Sequence, residues 1–277
     1  LNFEGTSART LGAERLNQPY LEPYSKLDAD WKKYLTDTII WQLGNSGFVT
    51  HKLIFNGNEL IAEVSQNRFR KTIQPIDLSS RIIANNAPTN IDKITIVTID
   101  AGIETLRATV SRHALFDSVL KGALDEELVE FSTNSSMDPG AVVVDNDVVY
   151  PHLGWSIRPV LAGTLQHPEK FYFWQLQVEA AAVVSFTKGL YLEASYGFDI
   201  VNNFDKGYDY HWPDGQLYHV RQNRRLYMTE GSSGMRDLYL RYLVDFHPNV
   251  KGMFSAGYIE TMFGGAGGEV VYMPDHK

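Results

Sequence analysis

The apolar residues of this chain follow two different periods, and the change falls near Tyr150. Across residues 27–43, Trp31, Leu35, Ile39 and Leu43 recur at every fourth position and Gly44 follows, which predicts an amphipathic helix with a glycine stop. Residues 48–55 and 60–64 are β-rich runs on either side of Asn56-Gly57-Asn58. Asn-Gly tolerates the positive φ that a tight hairpin turn requires, so the two runs are expected to pair. A second helix is expected over 75–84, with Pro75 in its first turn and Pro88 closing the segment. Strands at 93–99 and 105–110, separated by Ala101-Gly102, and a helix near 114–124 complete the set. Together they make a small α+β domain over residues 25–130, behind an N-terminal extension over 1–24. Its core is expected around Trp31, Leu35, Ile39, Phe55, Ile82, Ile96 and Ile99. Residues 131–149, with Asn134, Ser135, Ser136, Pro139 and Gly140, read as a linker.

From Tyr150 onward, residues 150–277, the period is two. Trp174, Leu176, Val178, Ala180, Ala182, Val184 and Phe186 alternate with a set holding Gln175, Gln177, Glu179 and Ser185. After Thr187-Lys188-Gly189 the pattern resumes as Leu190, Leu192, Ala194, Tyr196, Phe198 and Ile200 against Glu193, Ser195 and Asp199. Leu153, Trp155, Ile157, Pro159, Leu161 and Leu165 stand against Ser156, Arg158 and Thr164, and Leu238, Leu240, Tyr242, Val244 and Phe246 against Asp237, Arg241 and Asp245. These runs are about 11 to 13 residues long, where ordinary strands average about 5 to 6 and strands that cross a bilayer need ~9 to 11. Aromatic residues gather at the run ends, Phe171 to Trp174 at one and Tyr150, Trp155, Phe186 and Phe246 at the other, as an interfacial girdle would. Short connections at 187–189 and 247–251 contrast with a long one at 202–234, matching short periplasmic turns and longer extracellular loops.

The expected class is therefore α+β: a small periplasmic α/β domain followed by long antiparallel strands of an outer-membrane β-barrel. Further strands at 254–262 and 269–273 bring the number to about six, short of the roughly 8 of the smallest closed barrels. The barrel is expected to be incomplete in this chain, closed by further sequence or by another segment, because an open sheet in lipid leaves unpaired backbone groups. The side chains expected to face the lumen are Arg158, Gln175, Gln177, Glu179, Glu193, Asp199 and Arg241. On this reading arginine at Val178 or Ala194 impairs insertion, whereas Glu179→Arg is tolerated.

Composition narrows the partners. The 277 residues are 44% hydrophobic and 21% charged, enough for two structural units. A net charge of −8 and a pI near 5.5 argue against nucleic acid, which needs a clustered basic surface. Without cysteine there is neither a disulfide framework nor a thiolate metal site. No apolar run reaches the ~18 residues of a membrane-spanning helix, and the start at Leu1 reads as processed or trimmed.

Several segments carry a resemblance. Tyr150-Pro151-His152-Leu153-Gly154-Trp155-Ser156, Phe171-Tyr172-Phe173-Trp174-Gln175-Leu176 and Val201-Asn202-Asn203-Phe204-Asp205 are similar to strand and loop segments of the YjbH-like family of exopolysaccharide and capsule biosynthesis proteins. So are His219-Val220-Arg221, the run from Ala256 to Gly265, and Gly268-Glu269-Val270-Val271-Tyr272. The resemblance covers most of the chain from about Trp31 onward. It implies tandem outer-membrane barrels joined by periplasmic α/β modules in a Gram-negative envelope, with full-length members much longer than this chain and headed by a signal peptide. It also implies a role in assembly, export or surface retention of a secreted polysaccharide, alongside outer-membrane lipid and periplasmic polysaccharide-export proteins. No catalytic set comes with it.

The residues themselves point the same way on chemistry. Gly264-Gly265-Ala266-Gly267-Gly268 lies between strands without the helix a phosphate cradle needs, and reads as a flexible loop. Gly231-Ser232-Ser233-Gly234 reads as a turn rather than a nucleophile elbow, and the eight histidines lack metal-ligand spacing. No catalytic residue, metal or cofactor is expected. Glu179, Glu193 and Asp199 can be read as a glycosidase-like pair or as solvated lumen carboxylates. Tyr208, Tyr210, Trp212, Tyr218 and Tyr227 with Arg221, Arg224 and Arg225 either stack on sugars and pair with acidic groups of a polysaccharide, or pack the loop onto itself. The rival classes are a soluble periplasmic carbohydrate-binding protein with a β-sandwich half, and a polysaccharide-modifying enzyme.

Overall fold

The computed structural model describes residues 22–122, 124–133, 137–165, 171–204 and 224–274. They fall into two compact units, the first built mainly on residues up to Val149 and the second starting at Tyr150.

In the first unit, α1 (Ala29–Asn45) starts where Asp28, in extended conformation, accepts the Trp31 amide on its side chain at 2.8 Å and so caps the free N–H groups of the first turn. Leu35, Ile39 and Leu43 are fully buried, but Trp31 is half exposed, contrary to the expectation that it joins the core. Each four-residue step overshoots a full helical turn by about 40°. Two steps before Ile39, the row has drifted off the buried line, and the Trp31 ring packs edge-on against Tyr34 instead. The hairpin forms as expected from β1 (Phe48–Asn56) and β2 (Glu59–Gln66), with Gly57 at φ 62° in its turn. Helix α2 (Ile73–Asn86) begins two residues ahead of Pro75 and is the crossover that brings β3 (Lys93–Asp100) parallel to β2. Ala101 and Gly102, both at positive φ, turn the chain back into antiparallel β4 (Ile103–Ser111), which leads into α3 (Arg112–Lys121).

The core follows the strand period. Leu35, Ile39 and Leu43 of α1, Ile76 and Ile83 of α2 and Leu115 of α3 pack with Leu53, Leu60, Ile94 and Ile96 of the sheet. Val97 and Ile99 point the other way and form a second, smaller cluster with Ile54 and Ile61, so Ile99 belongs to the opposite face from Ile96.

The stretch read as a linker is partly structured. With β5 (Val129–Phe131) and β6 (Val142–Asp145) the sheet runs β5-β4-β3-β2-β1-β6, and β6 pairs antiparallel with β1. Turn-forming residues dominate the composition of that stretch and hide a run of three β-branched valines, Val142 to Val144, that fits the open edge of β1. Side chains fix it there: Asn146 donates to the Thr50 carbonyl at 2.8 Å, and Asn56 accepts the Asp138 amide at 2.8 Å. At the other limit, Tyr24 is buried with its ring stacked on Phe55 at 3.6 Å. Burial raises the Tyr24 phenol above its usual pKa. Its contribution to stability is complete below that usual value, near 10, and is lost as pH rises through the folded value. A fragment of residues 22–149 is expected to fold alone and to melt roughly 5–10 °C above one of residues 25–130, which lacks Tyr24 and β6. Thermal circular dichroism of the two fragments makes the comparison, and equal melting points would mean that neither element contributes.

The second unit is a meander. Strands β7 (His152–Leu165), β8 (Tyr172–Thr187), β9 (Leu190–Asn202), β10 (Gly234–His247), β11 (Val250–Glu260) and β12 (Phe263–Tyr272) lie side by side in chain order, with a short helix α4 (Arg224–Thr229) between β9 and β10. β8 has 16 residues and β12, the shortest, has 10, so every strand reaches bilayer-crossing length. Among the described residues the sheet stays open, with β7 and β12 at its edges. Gly264 to Gly268 lie inside β12, not in a loop. Glycine takes the extended conformation readily and its lack of a side chain suits close packing: a Cβ at Gly268 would meet the Phe254 ring at 3.2 Å.

Candidate functional site

Register sorts the second unit into two faces. Opposite pairs Leu153–Val184, Trp155–Ala182, Ile157–Ala180, Pro159–Val178 and Leu161–Leu176 line one of them, continued on β9 by Leu192, Ala194, Tyr196 and Phe198 and on β10 by Leu238 and Leu240. The other face carries Arg158, Gln175, Gln177, Glu179, Glu193, Asp199 and Arg241, the polar residues singled out by sequence, together with Ser195, Asp237 and Tyr239.

Burial on these faces is inverted relative to a water-soluble sheet. On β8 Gln175 and Gln177 are each 5% exposed, whereas Leu176 and Val178 of the apolar face are only partly buried, and on the edge strand β7 Trp155, Ile157 and Leu161 are 72%, 64% and 67% exposed. Buried amides cost free energy unless hydrogen-bonded. Gln175 accordingly donates to Asp199 and to the Ser232 carbonyl, both at 2.7 Å, and Gln177 accepts from Arg236 at 2.5 Å. Arg158 donates to Glu179 at 2.7 Å, directly across the β7–β8 pair. Glu193 accepts from the Tyr239 hydroxyl at 2.8 Å and pairs with Arg241, and Ser195 donates to Asp237. Glu179, Glu193 and Asp199, from which a glycosidase-like acid pair would be drawn, are thus held by three different sets of partners.

Arg236 is the residue that sequence reasoning missed. Strict alternation puts it on the apolar face beside Asp237. A bulge between Met235 and Asp237 turns it to the polar side, where it reaches Gln177 and, at 2.8 Å, the Ser232 carbonyl. Gly197 makes the space: a Cβ there would come within 2.5 Å of the Arg236 side chain and 2.6 Å of Gln177. Phe173 is the other departure. Instead of joining an aromatic girdle with Tyr172 and Trp174, it falls on the polar face, where it is buried against Phe204 at 6.3 Å between ring centres.

These two departures meet in a cleft of about 330 Å³ at the strand ends that border the 203–233 connection. Phe173, Phe204, Tyr227, Gln175, Arg236 and Glu260 are among its walls. Ala162 and Thr164 of β7 and Thr261 and Met262 of the β11–β12 turn line it as well, although β8, β9 and β10 separate those strands in the sheet. The polar face is therefore concave at this end. Of the loop residues expected to touch polysaccharide, Tyr208, Tyr210, Trp212, Tyr218 and Arg221 lie outside the described residues. Arg224 and Arg225 open α4, but their side chains also lie outside them. No cluster of metal-ligand type occurs among the described residues.

Fold and site together define a two-unit α+β protein whose second half is an amphipathic antiparallel sheet with its polar side chains bound to one another and its apolar side chains outward. The chain belongs to the YjbH family, described as exopolysaccharide biosynthesis protein YbjH, whose profile matches residues 2–277. An uncharacterized lipoprotein YjbH of Escherichia coli (strain K12) is 28% identical over 241 residues. That alignment covers 83% of this chain and 33% of the relative, so the chain spans about a third of the relative's length. No solved structure matches.

Proposed function

We propose that the second unit is part of the wall of an outer-membrane β-barrel and that the protein serves in assembly or export of an exopolysaccharide, without catalysis or a cofactor of its own. The observation that carries this reading is the inverted burial: Trp155, Ile157 and Leu161 face outward while Gln175 and Gln177 are enclosed. In water that exposes a large apolar surface at substantial cost; in lipid it is the expected arrangement of a barrel, polar within and apolar without. A β-sandwich would cover the apolar face with a second sheet, and the six strands of this unit pair only in one sheet among the described residues. The relative's designation as a lipoprotein agrees with membrane association. The first unit, with its own core, is assigned to the periplasm, where it gates the barrel or recruits an export partner.

Fractionation tests the assignment. The natural protein is expected in outer-membrane fractions and to resist carbonate extraction, while deletion of residues 22–149 leaves insertion intact and abolishes polysaccharide secretion. Recovery of the intact protein in the soluble periplasmic fraction would overturn the barrel reading, and normal secretion from the deleted form would remove the docking role.

A further inference from the structure

The cleft at the end of the polar face has a composition that selects a ligand. Its floor is aromatic, with Phe173 and Phe204 buried against each other, and Tyr227, 41% exposed, forms an accessible wall. Polar groups of both signs, Gln175, Arg236 and Glu260, complete it. An aromatic surface next to hydrogen-bonding side chains suits a pyranose ring, which presents C–H bonds on its faces and hydroxyls around its edge. At about 330 Å³ the cleft falls at the small end of ligand sites, which run from about 300 to 1,000 Å³, and holds one or two such rings.

Charge decides which sugars. Both terminal nitrogens of Arg236 already donate, to Gln177 and to the carbonyls of Ser232 and Gly231, its Nε is buried, and Asp199 stands behind Gln175. Further along the same face Arg158 and Arg241 are matched by Glu179 and Glu193, and Asp237 adds another carboxylate. Among the described residues the face carries no surplus of positive charge, so a uronate or a phosphorylated sugar meets repulsion from them rather than a partner. The geometry points to this cleft as a binding subsite for a neutral sugar unit of the polymer, stacked against Tyr227 over the Phe173–Phe204 floor. The assignment rests on the polysaccharide reading above. It differs from the sequence expectation of pairing between loop arginines and acidic groups.

The full chain, refolded into detergent micelles, is titrated by calorimetry with cellotetraose, maltotetraose and mannotetraose as neutral probes and with trigalacturonate as the acidic one. At least one neutral tetrasaccharide is expected to bind at least tenfold more tightly than trigalacturonate. Tyr227→Ala is expected to weaken it at least tenfold, while Tyr227→Phe, which keeps the ring, stays within about threefold. Binding of none of the neutral probes, tighter binding of trigalacturonate, or indifference to Tyr227→Ala would each overturn the subsite. Carbonate resistance of the natural protein is scored in parallel. Saccharide binding by a protein that fails to insert would count against the barrel alone, and insertion without binding against the subsite alone.

Discussion

Arginine in place of Val178 or Ala194 should block insertion of the second unit into a bilayer. Val178 lies opposite Pro159 on one side and Phe198 on the other, and Ala194 lies between Ala182 and Leu238, so both sit mid-strand on the apolar face. A guanidinium at the bilayer midplane of a barrel costs about 2–4 kcal/mol, which lowers the equilibrium constant for insertion by roughly 30-fold or more. Folding into lipid vesicles, titrated with urea, measures the loss. The polar-face control cannot be Glu179→Arg, for which sequence alone suggested tolerance. Arg158 stands directly across from Glu179 and donates to it, so a second guanidinium there faces a like charge. Glu179→Gln keeps the hydrogen-bonding shape and should insert as well as the wild type. Equal insertion of the glutamine and arginine variants would contradict the assigned faces.

Arg112→Ala should strongly destabilise the first unit. The side chain is buried, and its guanidinium donates to the carbonyls of Ala84 at 2.6 Å, Pro88 at 2.8 Å, Ile91 at 3.1 Å and Ala87 at 3.3 Å. These oxygens belong to the end of α2 and the turn that follows it, where the helix leaves carbonyls without partners of its own. Burial lowers the Arg112 pKa and nearby Asp92 opposes that shift. The guanidinium nonetheless keeps its charge at neutral pH, because arginine starts so high. Its removal strands several buried acceptors and leaves a void, a loss of about 3–5 kcal/mol, or roughly 10–20 °C in the melting point of a unit this size. Arg112→Lys recovers little, since one ammonium cannot span four carbonyls. Calorimetry of the 22–149 fragment decides. A loss under about 1 kcal/mol would mean that water replaces the guanidinium readily.

Much of this was legible from residue order because it depends on neighbours along the chain. Period four in α1, the Asn-Gly turn and the Ala101-Gly102 turn are local, and both turns form where the sequence places them, while α1 runs through the expected stop at Gly44 and the chain turns at positive φ at Gly47 instead. Alternation also assigned the two faces of the long strands, since side chains in a strand point to opposite sides whatever lies beyond. What remained hidden depends on partners distant in sequence. Val142 to Val144 became a strand because β1 had an open edge nearly a hundred residues earlier, which no local composition reveals. Trp31 left the core because packing tolerates only the buried stripe of the helix, and Gly264 to Gly268 extended because β11 lay alongside. The cleft was the least accessible feature. It requires the bulge that turns Arg236 inward, the empty space at Gly197, and a curvature that brings the ends of β7 and of the β11–β12 turn to one opening. Periodicity records which side of a strand a residue takes. The register shift that reverses that side, and the strands that meet across a concave sheet, are set only when the backbones pair.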